Sequence, residues 1–380
     1  MAPIRVGLVG LTTVTVNPSG EGYTPGSWGL AHLACLAGSP HYEIVALCNS
    51  TVEKAQKSIE HNKLDPATKA YGSVDEMAQD PDVDLVVVSV HVDKHYALAK
   101  SALKNKKNVY VEFPLTKSYK EAEDLAELAK QAGVKTVIGA QARANLALKK
   151  IKELVKSKAI GDVLSTSWTG FMGISTWSGL PESLKDFADL EGGPGRINIG
   201  LGHGLDPFLD TLGEFKDVQA TFKTYQKTVP LFDATGTVVD PAYKVTAPEF
   251  IFVQGVLESG AVASINVRSI PASADEAGFR WIISGSEGEI VFSSPAGGYV
   301  QGPMPDAKVL LKKWNGETEE VNWKYNEPAH VTGVFDFAIN TARLYEAFAT
   351  GDEDGYASIE AARKVHHLID RVKKVAIWAP

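Results

Sequence analysis

Between residues 4 and 139, short apolar runs alternate with stretches whose apolar residues recur every three or four positions. That alternation is the signature of βαβ units around a parallel sheet. Ile4–Val9, Ile44–Cys48, Leu85–Ser89, Val109–Val111 and Thr136–Ile138 read as strands. Trp28–Leu36, Val52–Asn62, Lys94–Lys104 and Tyr119–Ala132 read as helices, the last stopped by Gly133. Right-handed crossovers leave a doubly wound, Rossmann-type sheet as the expected fold of residues 1–142. Beyond an amphipathic helix ending near Lys156 the pattern turns β-rich, in Val163–Phe171, Val218–Thr228, Phe250–Leu257, Ala261–Arg268, Arg280–Gly285 and Glu289–Phe292. The turns Glu258-Ser259-Gly260 and Gly285-Ser286-Glu287-Gly288 predict hairpins. Residues 143–380 are thus expected to form a second α/β domain with a large, mostly antiparallel open sheet. Helices close it at about Phe335–Thr350 and Ser358–Val375, where they are free to pack back on the first domain. An open sheet leaves an apolar face uncovered, which predicts a homodimer or homotetramer.

At 380 residues the chain exceeds what one core serves, which agrees with two domains. A net charge of −8 argues against a nucleic-acid surface. No apolar run approaches a membrane span, and the chain enters a strand at Ile4 without a signal-peptide pattern. Cys35 and Cys48 match no metal-ligand spacing and read as buried free thiols. No metal is expected, and the reading is cytoplasmic, or nuclear for a regulator.

Ligands of open α/β sheets bind outside the carboxyl ends of the strands, so the residues there carry the chemistry. The first turn, Gly7-Leu8-Val9-Gly10-Leu11-Thr12, keeps the first glycine of a dinucleotide fingerprint at Gly10. Thr12 replaces the second glycine, and the third is displaced to Gly26 or Gly29 beyond a turn-rich insertion. The helix starting at Trp28 offers its amino terminus to a pyrophosphate. The loop Thr12–Pro25 reads as a plain surface insertion or a lid over the ligand, its length favouring the lid. At the end of the second strand an NAD site usually places a carboxylate. This chain has Cys48-Asn49-Ser50-Thr51, with Lys54 one turn on. Asn49, Ser50 and Lys54 suit a 2′-phosphate, which predicts NADP over NAD; the same residues would serve as a helix cap. Val90, His91 and His95 stand at the third strand end, and His95 either touches the cofactor or pins its helix. Tyr110, two residues inside its strand end, should face the core or the opposite side. At the next strand end, Glu112-Phe113-Pro114 presents Phe113, which cannot move a proton, to the cofactor and substrate site. Gln141 and Arg143 follow the last strand.

Three of these stretches together, Val6-Gly7-Leu8-Val9-Gly10-Leu11, His95 with its flanks, and Glu112-Phe113-Pro114, resemble the glucose–fructose oxidoreductase/inositol dehydrogenase (Gfo/Idh/MocA) family. Within it the chain is similar to the fungal galactose-repressor-like branch. His95-Tyr96, Gln141-Ala142-Arg143, Ala159-Ile160-Gly161-Asp162, Gly202-His203-Gly204-Leu205-Asp206 and Ala342-Arg343-Leu344-Tyr345-Glu346-Ala347-Phe348 carry that likeness. The resemblance implies NAD(P) at the strand ends and sugars, polyols or related small molecules as substrates. It also implies a Lys between the Glu and the Pro, and an Asp four residues before a catalytic His. Here Phe113 replaces the lysine and Ile199 stands four before His203, with Asn198 the nearest polar group.

His203 is the remaining proton-handling residue by that resemblance, and an imidazole ordinarily titrates near neutrality. Phe113 with Trp168, Phe171, Met172 and Trp177 would make an apolar wall for a substrate, while Asn198 and Arg143 would orient it. Two readings follow. One is an NADP(H)-dependent oxidoreductase acting on a small carbonyl, imine, enone or sugar-like substrate without the usual lysine. The other is a catalytically silent NAD(P)-binding regulator that holds a transcription factor's activation segment in the same cleft.

Overall fold

The computed structural model describes residues 2–13, 28–171, 178–191, 195–270, 273–295 and 300–380, excepting the side chain of Phe171. The lid expected from Thr12 to Pro25 lies, beyond Thr13, outside the described residues, as do Gly26, Met172 and Trp177. By backbone contacts the chain forms two compact units, 1–144 with 326–363, and 145–325 with 364–380.

In the first unit β1 (Ile4–Val9), β2 (Tyr42–Cys48), β3 (Lys69–Tyr71), β4 (Leu85–Val88), β5 (Asn108–Glu112) and β6 (Thr136–Gly139) form one sheet in the order 3-2-1-4-5-6. All five pairings are parallel. The order reverses between β1 and β4, the position at which doubly wound sheets bind dinucleotides. The strands were legible because both sheet faces are covered, so each central strand is a continuous apolar run; β4 is buried along its whole length. Helices α1 (Trp28–Gly38), α2 (Val52–His61), α3 (Val74–Gln79), α4 (His95–Lys104) and α5 (Tyr119–Ala132) make the crossovers. Neither β3 nor α3 was expected, since three edge residues and six helical ones carry no readable period. The unit also takes in α8 (Ala329–Thr332) and α9 (Ile339–Thr350). On α9, Ala342, Leu344, Tyr345 and Phe348 join Leu36, Tyr42 and Tyr110 in one buried cluster. Cys35 and Cys48 are free and buried as expected. Burial drives both thiol pKa values up, that of Cys48 to about 11, so both thiols stay protonated.

In the second unit, α6 (Leu146–Lys156) precedes β7 (Val163–Phe171), β8 (Leu180–Pro181) and α7 (Gly202–Leu212). The strands β9 (Phe215–Lys223), β10 (Thr228–Phe232), β11 (Val238–Lys244), β12 (Phe250–Leu257), β13 (Val262–Arg268), β14 (Phe279–Gly285), β15 (Gly288–Ser294), β16 (Lys308–Lys313), β17 (Thr318–Glu320) and β18 (Ala376–Trp378) follow. Nine of them form one sheet ordered 17-16-15-14-7-13-12-9-18, and three form a small sheet ordered 11-10-8. The large sheet is antiparallel except at β13–β7 and β18–β9. Both expected hairpins occur, at β12–β13 and β14–β15. The single run expected over Val218–Thr228 is in fact two strands in two sheets. Side chains alternate along β12 and β13, leaving Phe252 and Val262 exposed on the open face.

Candidate functional site

At the β1–β4 reversal the backbone approaches itself so closely that only glycine fits. Gly10 has φ +96°, and a Cβ there would fall 2.2 Å from the Ser89 carbonyl oxygen. A Cβ at Gly29 would lie 3.1 Å from the Gly10 oxygen, so α1 starts hard against the turn. Gly10 and Gly29 therefore do the work of the first and third fingerprint glycines: a tight turn and close helix packing. Thr12 is half-buried, and its carbonyl accepts from Asn62 Nδ2 at 3.0 Å. The Trp28 ring packs edge-on against Phe337, with centroids 4.5 Å apart, which gives it a packing role.

The β2 end is only partly the open polar platform expected. Asn49 Nδ2 donates to Leu11 O (3.0 Å) and Ser58 Oγ (3.1 Å), tying the first turn to α2. Its amide therefore serves the fold. Thr51 caps α2, its hydroxyl accepting from Lys54 N at 3.2 Å. Ser50 and the Lys54 side chain are exposed. Glu53, not considered from the sequence, is drawn to its own helix terminus by its backbone and Thr51, which lowers its pKa.

His95 is a clip. It is buried, with Nδ1 2.9 Å from Pro114 O and Nε2 2.9 Å from Val90 O. The ring thus joins the exits of β4 and β5, the pinning alternative. Burial pushes its pKa down against the pull of the two carbonyls and Glu112. His91 is exposed, 3.2 Å from Asp93. Phe113 is buried at 7% exposure, and Arg143 is half-buried in a short 3₁₀ turn.

Glu112 is the centre of a network that sequence reading missed. Its carboxylate, in a residue 6% exposed, accepts from Gln141 Nε2 at 3.1 Å and lies 3.1 Å from His32 Nε2. His32 Nδ1 is 2.7 Å from the Tyr345 hydroxyl, and the Tyr345 carbonyl accepts from Tyr42 at 2.6 Å. His32 thus stands between Glu112, which its Nε2 approaches without a hydrogen bond, and the Tyr345 hydroxyl, which its Nδ1 engages. The rings of Tyr110 and Tyr345 stack at 5.0 Å, and Tyr110 is fully buried, as expected. Gly139, opposite Glu112 on β6, makes the room: a Cβ would fall 2.5 Å from Glu112 Oε1. A signal for His32 existed, since it is the lone polar side chain in the run Leu30-Ala31-His32-Leu33-Ala34-Cys35. Tyr345 lay too far along the chain to be connected.

Among the described residues two polar atoms at these strand ends are buried without a hydrogen-bond partner, Ser89 Oγ beyond β4 and Gln141 Oε1 beyond β6. Buried polar groups are rarely left so, because each costs about 1–3 kcal/mol. A hydroxyl and an amide oxygen open at the β4 and β6 tips, beside a glycine turn and a helix start, fit a nicotinamide nucleotide.

In the second unit His203 lies on α7 and Asn198 on the π-helical stretch Gly195–Leu201 before it; both are buried, as is Asp206. No helix was expected here, and Gly202, Gly204 and Pro207 disfavour one locally; packing overrides them. Phe208 of α7 stacks on Trp281, and Gly204 leaves space for the Trp168 ring. Trp168 also meets Phe279 edge-on and is buried, which gives it a core packing role. The expectation that His203 titrates near neutrality fails: burial pushes its pKa down to about 3. Its ring is neutral at physiological pH and offers a hydrogen bond, not a proton held on a cation. Phe171 ends β7, its side chain outside the described residues.

A family model of the NAD-binding Rossmann fold of the oxidoreductase family matches residues 22–140, and one of the Gal80p C-terminal domain matches residues 147–294. The dehydrogenase aclE of Aspergillus oryzae is 28% identical over 376 residues, covering 98% of this chain and 96% of its own. The galactose/lactose metabolism regulatory protein GAL80 of Kluyveromyces lactis is 33% identical over 273 residues, 68% of this chain and only 56% of that protein. The solved structure of the transcriptional regulator Gal80p from K. lactis superposes with a TM-score of 0.78 at 26% identity, over 98% of this chain and 92% of that one. The glycine turn at the sheet reversal, the 3-2-1-4-5-6 order and the two matched domains in succession agree: the chain carries an NAD-binding Rossmann domain of the Gfo/Idh/MocA oxidoreductase family followed by a C-terminal domain of the Gal80p type.

Proposed function

We propose that the chain is an NADP(H)-dependent oxidoreductase acting on a small carbonyl, imine, enone or sugar-like substrate without a catalytic lysine. The observation that carries this reading is the β1–β4 reversal, where Gly10 shapes the turn and Ser89 Oγ and Gln141 Oε1 await partners. The alignment with a dehydrogenase along nearly the whole of both chains supports it.

The nucleotide, when bound, supplies the hydride. The chain's part is to hold its nicotinamide end, and the Gln141–Glu112–His32–Tyr345 series fixes the amide of Gln141 in one orientation for that purpose. Preorganised polar groups of this kind cost no reorganisation when a ligand arrives. At residue 113 an apolar ring replaces an ammonium, and His203 is neutral. Proton transfer by a side chain typically adds ~10²–10⁴-fold to a rate. A substrate that reacts without this help, such as an activated carbonyl or conjugated alkene, is therefore favoured over an unactivated alcohol.

Phe113, Ile199 and the neutral His203 also favour a second reading, a nucleotide-binding regulator without turnover. NADPH consumption against ketones, imines, enones and sugars separates the two. Turnover that falls with His203→Ala supports the oxidoreductase; tight NADPH binding with silence across the panel supports the regulator. Sugar oxidation appearing in Phe113→Lys would mark the pocket as that of a polyol dehydrogenase.

The preference for NADP rests on the β2 end, where Ser50 and Lys54 are exposed and Glu53 is held by its own helix terminus. NADPH is expected to bind roughly tenfold tighter than NADH, and Lys54→Ala to remove most of that difference, the value of one charge-assisted contact at an exposed site. Fluorescence titration measures both, and equal affinities for the two nucleotides in the unaltered protein overturn the preference.

A further inference from the structure

Away from the strand ends, three residues from separate stretches of the first unit converge on one point. His41 lies in the turn between α1 and β2, His330 on α8 and Glu346 on α9. His330 Nε2 is 2.7 Å from Glu346 Oε2, and His41 Nε2 is 3.6 Å from the same oxygen. One ligand atom from each of the three lies within 4.8 Å of the others. The two imidazole rings stand at 79° with centroids 5.8 Å apart, edge to face. All three side chains are partly open to solvent, at 36%, 19% and 23% exposure, which leaves an entry path and a side for water.

We infer that His41, His330 and Glu346 bind a divalent transition-metal ion, with zinc the metal they suit. Two imidazole nitrogens and one carboxylate oxygen are a donor set that zinc accepts, with a water completing the tetrahedron. Metal–ligand bonds of about 2.0–2.2 Å put neighbouring ligand atoms roughly 3.4 Å apart. The His41–Glu346 separation already fits, and His330 must open from hydrogen-bond distance by a fraction of an ångström, a small rotation for a side chain partly open to solvent. Magnesium and calcium, which want mostly oxygen, are excluded by the two imidazoles.

The surroundings hold the ligands in place. The His41 carbonyl accepts from Ile4 N at 2.8 Å, anchoring the turn to the foot of β1. The residue before Glu346 is fixed from the other side, its carbonyl taking the Tyr42 hydroxyl. Arg343, one turn earlier on α9, is spent on Glu327 at 2.6 and 2.8 Å and leaves the charge of Glu346 to the ion. A metal here would clip the returning segment 326–363 to the amino-terminal sheet. It would also stiffen the helix that carries Tyr345, the last member of the Glu112 network.

The test is calorimetric titration of zinc chloride into the chelator-stripped full chain, with thermal melts at matched concentrations. Binding of one zinc per chain at micromolar affinity or better is expected, with a melting midpoint raised by about 3 °C at a hundredfold excess over Kd. Magnesium should leave the midpoint unmoved. Glu346→Gln should abolish the response. His41→Ala is the sharper variant, because the His330–Glu346 hydrogen bond survives it: zinc affinity should fall at least tenfold while the metal-free midpoint holds. If zinc gives neither heat nor shift, or if His41→Ala and Glu346→Gln respond like the unaltered protein, the three residues are only a hydrogen-bonded cluster.

Discussion

Gly10→Ala should destabilise the first unit by about 4 kcal/mol and weaken NADPH binding at least roughly tenfold. Two costs add. The residue sits at φ +96°, which a side chain tolerates only with backbone strain of about 1–3 kcal/mol. The new methyl also falls 2.2 Å from the Ser89 oxygen and 2.5 Å from Val90 Cγ1. The first of these is backbone at the end of a buried strand and cannot swing aside, so overpacking of about 1–3 kcal/mol follows. The tips of β1 and β4 must part, and that reversal is where the nucleotide is proposed to lie. Gly38→Ala is the control. It closes α1, a Cβ there meets nothing within 4 Å, and its effect should stay within roughly 0.5 kcal/mol. Denaturant melts and NADPH titration of the two variants measure both quantities. A Gly10→Ala protein that binds NADPH normally would remove the β1–β4 reversal from the proposed site.

Acidification from pH 7 to pH 5 should cost a similar amount, in the second unit. His203 and His366 are both buried, and burial lowers their pKa values to about 3 and about 4, with Lys373 adding a smaller push on His366. In the unfolded chain both return to about 6.5. The folded pKa lies below the unfolded one, so below pH 6.5 the unfolded chain binds the extra protons. Stability is therefore flat above that value and falls as pH drops, until the folded pKa values are reached. By linkage each histidine costs about 2 kcal/mol at pH 5. Ordinary carboxylates enter only below about pH 4.5, so the window from 6.5 to 5 belongs to the histidines. Melting midpoints across that window should report an uptake of at least two protons on unfolding, His95 of the first unit adding to it because burial lowers its pKa too. Histidine ring resonances should show at least two rings still neutral at pH 5; titration of every ring near 6.5 would refute the account. The same burial decides how His203 can act: a hydrogen bond from a neutral ring needs no ionisation between pH 5 and 8, so turnover should show no step assignable to it there.

The parts of the fold that were legible are those whose residues meet the same environment on every side. Leu85–Val88 is buried on both faces and reads as a strand from its composition; Tyr119–Ala132 has one wet face and one dry, with Ser118 capping it and Gly133 ending it. Lys69–Tyr71 was missed because a three-residue edge strand owes its state to pairing with Ala46–Cys48, which no local pattern records. The helix Gly202–Leu212 was missed for the opposite reason, since its glycines and Pro207 speak locally against the state that packing on Trp168 and Trp281 imposes. At the site, Gly10 and Glu112 could be named because their place at a strand end is itself a local property. Asn49 and Thr51 could equally bind or cap, and only their partners show that Asn49 ties the turn and Thr51 caps the helix.

From the order of its residues alone, this protein's fold class and the tight turn at Gly10 could be read, because periodicity and turn chemistry act over a few residues. Which side chains meet was settled only in three dimensions. His32, Glu112 and Tyr345 stand 80 and 233 positions apart, as do His41 and Glu346 at 305, and nothing in the intervening chain encodes their contact. The protonation of His203 belongs to the same category, for a pKa is set by what surrounds a group, and its surroundings exist only once the chain has folded.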